Sequence, residues 1–159
     1  MLVLVTGATG FLGRRVVREL LSRGDQVRCL VHTPGKERMF SHREVEVQYG
    51  SIRDPVSLSN AFYDVEAVVH LVGTIRSRRR DSFEDVHREG TANVLRAAKE
   101  VGSRRFIHVS AIGSANDNTY PYFYTKWQGE QEVIESGIPY TIFRPSIPVS
   151  YTHLRAHET

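Results

Sequence analysis

Leu2-Val3-Leu4-Val5-Thr6-Gly7-Ala8-Thr9-Gly10-Phe11-Leu12-Gly13 is the stretch that decides the fold. Its apolar half, Leu2–Thr6, reads as a strand buried on both faces. The run breaks at Gly7. Phe11, Leu12, Val16, Val17, Leu20 and Leu21 then fall on one stripe of a helix that Gly24 stops. A strand, a glycine loop and a helix in that order are the context a phosphate-holding turn needs. The first glycine makes the tight turn, the second lets backbone approach a pyrophosphate, and the third lets helix pack on strand. Free amide N–H groups and the helix dipole then hold the phosphates. Gly7, Thr9, Gly10, Phe11, Leu12 and Gly13 are therefore candidate dinucleotide contacts.

Outward from this loop the same alternation continues. Gln26–His32, Glu44–Gly50, Glu66–Val72, Arg104–Ser110 and Ile138–Arg144 read as further strands, the last with Pro139 near its start, where proline is tolerated. Asp54-Pro55 is an N-cap followed by proline at the first helical position, with Leu58 and Phe62 behind it. Ser82-Phe83-Glu84-Asp85 has capping-box form and opens a long helix running to Gly102. A last helix spans about Tyr122 to Ser136. Strands alternating with helices mean right-handed βαβ units, so the expected fold is α/β: a doubly wound parallel sheet of Rossmann type, strand order 3-2-1-4-5-6.

Composition agrees with one globular domain. The chain has 159 residues, 40% hydrophobic and 25% charged, which excludes disorder, collagen and coiled coil as overall descriptions. One cysteine, Cys29, excludes a disulfide framework and a cysteine zinc site, and the seven histidines show no metal spacing, so no metal site is expected. No stretch is long and apolar enough for a membrane span, and the start lacks a signal peptide's basic region. A net charge of +3 is too mild to imply nucleic acid. The expected location is cytoplasmic.

The glycine spacing is GxxGxxG. With Gly50-Ser51-Ile52-Arg53-Asp54, Val69-His70-Leu71-Val72-Gly73, His87-Arg88-Glu89-Gly90-Thr91-Ala92-Asn93, Arg105-Phe106-Ile107-His108-Val109-Ser110-Ala111 and Phe143-Arg144-Pro145-Ser146, it resembles the short-chain dehydrogenase/reductase superfamily. The branch is the extended or atypical one, and the subgroup it looks like is the NAD(P)H-binding accessory subunit of respiratory complex I, near the NmrA-like proteins. That resemblance implies cofactor contacts from Ser51, Ile52, Leu71, Val72, Gly73, Lys126 and Pro145, and a peripheral position at the inner membrane. It also places Ser51 where relatives carry an adenine-binding Asp. Tyr122-Phe123-Tyr124-Thr125-Lys126 matches the superfamily's YxxxK, so Tyr122 and Lys126 are the catalytic candidates. One helical turn separates them, so the ammonium could lower the phenol's pKa and reach a ribose. Active relatives carry a hydroxyl residue at the place of Ala111. Three functions follow: a cofactor-holding scaffold with weak or no catalysis, an active NADP-dependent oxidoreductase or sugar-nucleotide epimerase/dehydratase, and a redox-sensing regulator.

The cofactor expectation is NADP(H) over NAD(H). An NAD site wants an acid at the end of the second strand, and Leu30-Val31-His32-Thr33 has none. Arg14, His32, Lys36 and Arg38 are available for a 2′-phosphate instead, and Glu37 lies beyond the strand end. Arg76-Ser77-Arg78-Arg79-Arg80 is the densest charge cluster; it reads as a solvated loop, or as a docking site for an acidic protein partner or an anionic membrane surface. No reading helix or interleaved aromatics accompany it, so specific nucleic-acid binding is not expected. Residues 149–159 have no cap and no useful period, and look like a translated sequencing adapter. The expected boundaries are a truncated cofactor domain over 1–147, lacking a C-terminal substrate domain, and a foreign tail over 148–159.

Overall fold

The computed structural model describes residues 1–79 and 82–146. The expectations on Arg80 and on the 148–159 tail lie outside these residues. In chain order the elements are β1 (Leu2–Thr6), α1 (Phe11–Ser22), β2 (Gln26–Val31), β3 (Val45–Tyr49), α2 (Pro55–Ala61), β4 (Ala67–His70), α3 (Gly90–Glu100), β5 (Arg105–Val109), α4 (Pro121–Glu135) and β6 (Tyr140–Phe143). A 3-10 turn, Lys36–Met39, lies between β2 and β3, and a π-helical turn, Glu84–Glu89, runs into α3. The strands form one parallel sheet in the order β3-β2-β1-β4-β5-β6, as expected.

Alternate residues of the strands feed two cores. Val3, Val5, Val27, Cys29 and Val69 pack with Val17 of α1 on one face. Leu4, Val68 and Phe106 pack with Leu58 of α2, Val94 and Leu95 of α3 and Val133 of α4 on the other. Both faces of the central strands are therefore dry, which explains their unbroken Val/Leu runs. The chain order reverses between β1 and β4, which opens a crevice beyond their carboxyl ends.

Local signals work as read. Asp54 accepts the Val56 N–H at 3.1 Å and caps α2. Ser82 and Asp85 close a reciprocal capping box: the Asp85 N–H donates to Ser82 Oγ at 3.1 Å, and the Ser82 N–H to Asp85 Oδ2 at 3.2 Å. The helix that follows differs from the regular one expected. Its first turns are π-helical, and the Thr91 hydroxyl donates back to the His87 carbonyl at 2.8 Å. α4 crosses this carbonyl so closely that a Cβ on Gly129 would lie 2.4 Å from its oxygen.

Candidate dinucleotide-binding site

Each glycine of the first loop has a separate task. Gly7 sits at φ +71°, and a Cβ there would meet the Leu71 carbonyl carbon at 3.0 Å, so the turn is both left-handed and pressed against the exit of β4. A Cβ on Gly13 would lie 2.1 Å from the Gly7 oxygen, which is the close packing of helix on loop. Gly10 is different: a Cβ there meets only the Gly7 oxygen, at 3.2 Å, and its other side is open. Gly10 is also the N-cap of α1, with no side-chain cap and no acid in the first turn. An uncapped, acid-free N-terminus facing open space suits a pyrophosphate.

The space beside Gly10 is a cleft of about 410 Å³ along the carboxyl ends of the strands. Of the expected contacts it is lined by Gly7, Thr9, Gly10, His32, Lys36, Ser51, Ile52, Leu71, Val72 and Gly73. Phe11, Leu12, Gly13, Arg14, Lys126 and Pro145 stand outside that lining. Phe11 is exposed under the Arg15 guanidinium at 4.7 Å, Arg14 is exposed on α1, and Leu12 and Pro145 line an apolar groove of about 620 Å³ between α1 and β4–β6. Leu30, Thr33, Gly50, Arg53, Thr74 and Val86 also line the cleft and were not foreseen. Leu30, Gly50 and Thr74 sit at or just past strand ends, where the carboxyl-edge rule could have found them. Val86 arrives from the π turn and carries no local signal.

Just past the end of β2, Glu37 is not among the residues that line the cleft. The Glu37 carboxylate accepts the Gly35 N–H at 2.6 Å and is buried. Its own backbone N–H and the Tyr49 hydroxyl also hold its charged form, which lowers its pKa. Lys36 and His32 face the cleft in its place.

Lys126, one helical turn on from Tyr122, lies behind the cleft floor. A Cβ on Gly73 would be 3.7 Å from Lys126 Nζ and 3.8 Å from His87 Nε2, so both groups sit directly beneath that lining residue. Lys126 is buried and donates to the Val109 carbonyl at 2.8 Å, and burial pulls its pKa down to about 8. The Tyr122 ring meets His87 edge-on at 5.3 Å, and also Phe83 and Phe123. Burial raises its phenol pKa, so the expected lowering by Lys126 is corrected: the shift runs upward, and its cause is loss of water. Ala111 is buried and offers no hydroxyl. Ser110 and Ser114 are buried 3.1 Å apart, and Ser114 Oγ donates to the Ala111 carbonyl at 2.8 Å, so these hydroxyls bond one another rather than the cleft.

Comparison with known proteins supplies the family. Residues 7–150 match the family model described as NAD(P)H-binding. The chain belongs to the NAD(P)H-binding family. It is 37% identical over 120 residues to sterol demethylase protein B of Methylococcus capsulatus, covering 74% of this chain and 37% of that protein. It is 34% identical to the ceramide reductase of Caulobacter vibrioides, covering 90% and 45%. The mitochondrial 40 kDa subunit of NADH-ubiquinone oxidoreductase from Neurospora crassa is 33% identical, with 89% and 39% covered. The chain thus spans under half the length of these relatives. A short-chain dehydrogenase/reductase superfamily protein from Agrobacterium tumefaciens, solved with bound NAD, superposes with a TM-score of 0.75 at 30% identity, covering 91% of this chain and 48% of that one.

A polar belt braces this NAD(P)H-binding domain beneath the cleft. Thr6, His70 and His108 stand abreast on β1, β4 and β5. His70 Nδ1 pairs with Thr6 Oγ1 at 2.6 Å, and Nε2 with Thr91 Oγ1 at 3.0 Å. Because the Thr91 hydroxyl donates to the His87 carbonyl, the network assigns the ring proton of His70 to Nε2. His87 Nε2 accepts the Thr74 N–H at 3.1 Å, so its Nδ1 carries the proton toward Thr125 Oγ1 at 2.9 Å. Burial first, then the Lys126 charge, pulls the pKa of His70 and His87 down to about 3. Burial also drives His108 well below its usual value. His108 stacks on His70 at 5.5 Å, and neither of its ring nitrogens has a hydrogen-bond partner among the described residues. Among those residues no cluster of His, Cys, Asp or Glu could hold a metal ion, and no helix is long and apolar enough to cross a membrane.

Proposed function

We propose that this NAD(P)H-binding domain holds NADP(H) in preference to NAD(H) and turns substrate over weakly or not at all. The observation that carries the second half is the missing hydroxyl at Ala111, with Ser110 and Ser114 bonded to each other and to backbone. A carbonyl substrate beside Tyr122 would lack a second donor for its developing charge. The raised phenol pKa points the same way. When bound, the nicotinamide would supply hydride chemistry. Gly7, Thr9 and Gly10 would take the pyrophosphate, Ser51, Ile52 and Arg53 the adenine end, and His32 and Lys36 the 2′-phosphate. Lys126 would hold the region beneath Gly73 in place through the Val109 carbonyl. Among the described residues, Arg76, Arg78 and Arg79 line no part of the cleft and would serve an anionic partner instead.

A second reading is an NADP-dependent reductase, the kind of activity named for the ceramide reductase relative. It is favoured by Lys126 lying one helical turn from Tyr122 and directly under the cleft floor. The test is multiple-turnover oxidation of NADPH with a panel of ketones and aldehydes. The scaffold reading expects no consumption above the carbonyl-free rate, while sustained turnover that Tyr122→Phe abolishes would establish the reductase.

A further inference from the structure

The carboxyl edge of the sheet carries a second surface beside the cleft. β4 and β5 are parallel neighbours with His70 opposite His108, so the loops leaving them open on the same edge. In the first loop Ile75 is 77% exposed and is followed by Arg76, Arg78 and Arg79, all exposed. In the second, Ile112 is 60% exposed, and Tyr120, just before α4, is 62% exposed. The turns that present them are built. Thr74 Oγ1 accepts the Arg76 N–H at 3.2 Å and donates to the Arg76 carbonyl at 2.8 Å, which leaves Ile75 at the apex. The Ile112 N–H donates to the Pro145 carbonyl at 3.0 Å. Arg76, Arg78 and Arg79 form no ion pair with any described residue.

Exposed isoleucines and a tyrosine on the same sheet edge as arginines that make no ion pair with a described residue suit a partner that is anionic and apolar at once. A bilayer with acidic headgroups is such a partner: phosphates meet the guanidinium groups, the acyl boundary takes the isoleucines, and the tyrosine ring sits at headgroup depth. An acidic protein would satisfy the arginines but would set carboxylates against Ile75 and Ile112, which costs desolvation.

We propose that this edge docks on an anionic lipid surface, with Ile75 and Ile112 entering the headgroup layer and Arg76, Arg78 and Arg79 paired to lipid phosphates. This rests on the reading that these arginines serve an anionic partner, and it stands independently of the cofactor. The test is co-sedimentation of the chain with phosphatidylcholine vesicles, with and without roughly one-third phosphatidylglycerol, in about 0.1 M salt. Binding is expected to the anionic vesicles alone. Replacing all three arginines by Gln should weaken partition about a hundredfold, at about fivefold per charge. Ile75→Ser should weaken it about tenfold. Both variants should bind NADPH as the parent does, which verifies that they fold. The proposal is overturned by equal or absent binding to both vesicles, or by an unchanged Ile75→Ser variant. It is also overturned if polyglutamate strips the chain from the vesicles at equal charge, which would assign the edge to an acidic protein. Failure of the parent to bind NADPH would refute the cofactor reading and leave the vesicle result standing.

Discussion

Gly10 and Gly13 are three residues apart in one loop, and the structure gives them opposite sensitivities. A side chain at Gly13 would place Cβ 2.1 Å from the Gly7 oxygen and 2.7 Å from two Ala8 backbone atoms. Backbone cannot rotate aside, so α1 must lift. Overpacking of this kind costs about 1–3 kcal/mol, and contact with backbone puts Gly13→Ala at the upper end. For a domain of this size the melting temperature should fall by about 6–12 °C. A side chain at Gly10 meets nothing closer than 3.2 Å. Gly10→Val loses only a tolerable N-cap, about 1 kcal/mol, and the melting temperature should drop by about 2–4 °C. Its branched side chain instead fills the open space where the pyrophosphate is proposed to lie. Two charge-assisted hydrogen bonds at about 1.5 kcal/mol each make that loss at least a hundredfold in NADPH affinity. Differential scanning fluorimetry and calorimetric titration separate the two effects. The reasoning is refuted if Gly10→Val binds NADPH like the parent, or if Gly13→Ala keeps the parent's melting temperature.

Three further outcomes follow from buried groups. His70, His87 and His108 are held neutral, with His70 and His87 near 3 against the usual 6.5, so the unfolded chain binds more protons and stability must fall with pH below about 6.5. The loss is on the order of 1 kcal/mol per pH unit for each histidine held neutral in that window, and urea midpoints at pH 7, 6 and 5 should decline steeply; a flat series would contradict the buried belt. The Cys29 thiol, pushed up to about 12 by burial, should resist Ellman's reagent at neutral pH until the domain unfolds, whereas rapid native labelling would place it at the surface. Arg28, 7% exposed, donates to the Ala61 and Tyr63 carbonyls at 2.8 and 2.6 Å and to Glu46 at 2.8 Å. Arg28→Met should cost about 2–4 kcal/mol, and a loss below about 1 kcal/mol would mean that water replaces it freely.

The strands were legible because most are short Val/Ile/Leu-rich stretches closed by glycine or polar residues, and the parallel order followed from their alternation with helices. Caps at Asp54 and Ser82 were equally local and equally readable. In the glycine loop the tight turn at Gly7 and the close packing at Gly13 were readable. What escaped was whatever depends on elements distant in sequence. At the π turn the Thr91 hydroxyl meets the His87 carbonyl, the Thr74 amide meets the His87 ring and Gly129 packs close, none of which shows in a periodicity. His87 itself gave no signal of bridging the β4 loop to α4. The burial that raises the Tyr122 phenol comes from Phe83 and His87, thirty-odd residues upstream, whereas the spacing to Lys126 suggested the opposite shift.

The central claim is a cleft that prefers a 2′-phosphorylated dinucleotide because Lys36 lines it and Glu37 does not. The most direct test is calorimetric titration of the chain with NADPH and with NADH under identical conditions. One cation on the 2′-phosphate is worth about 1.5–3 kcal/mol, so NADPH should bind at least about tenfold more tightly. NADH binding equally or more tightly would contradict the account.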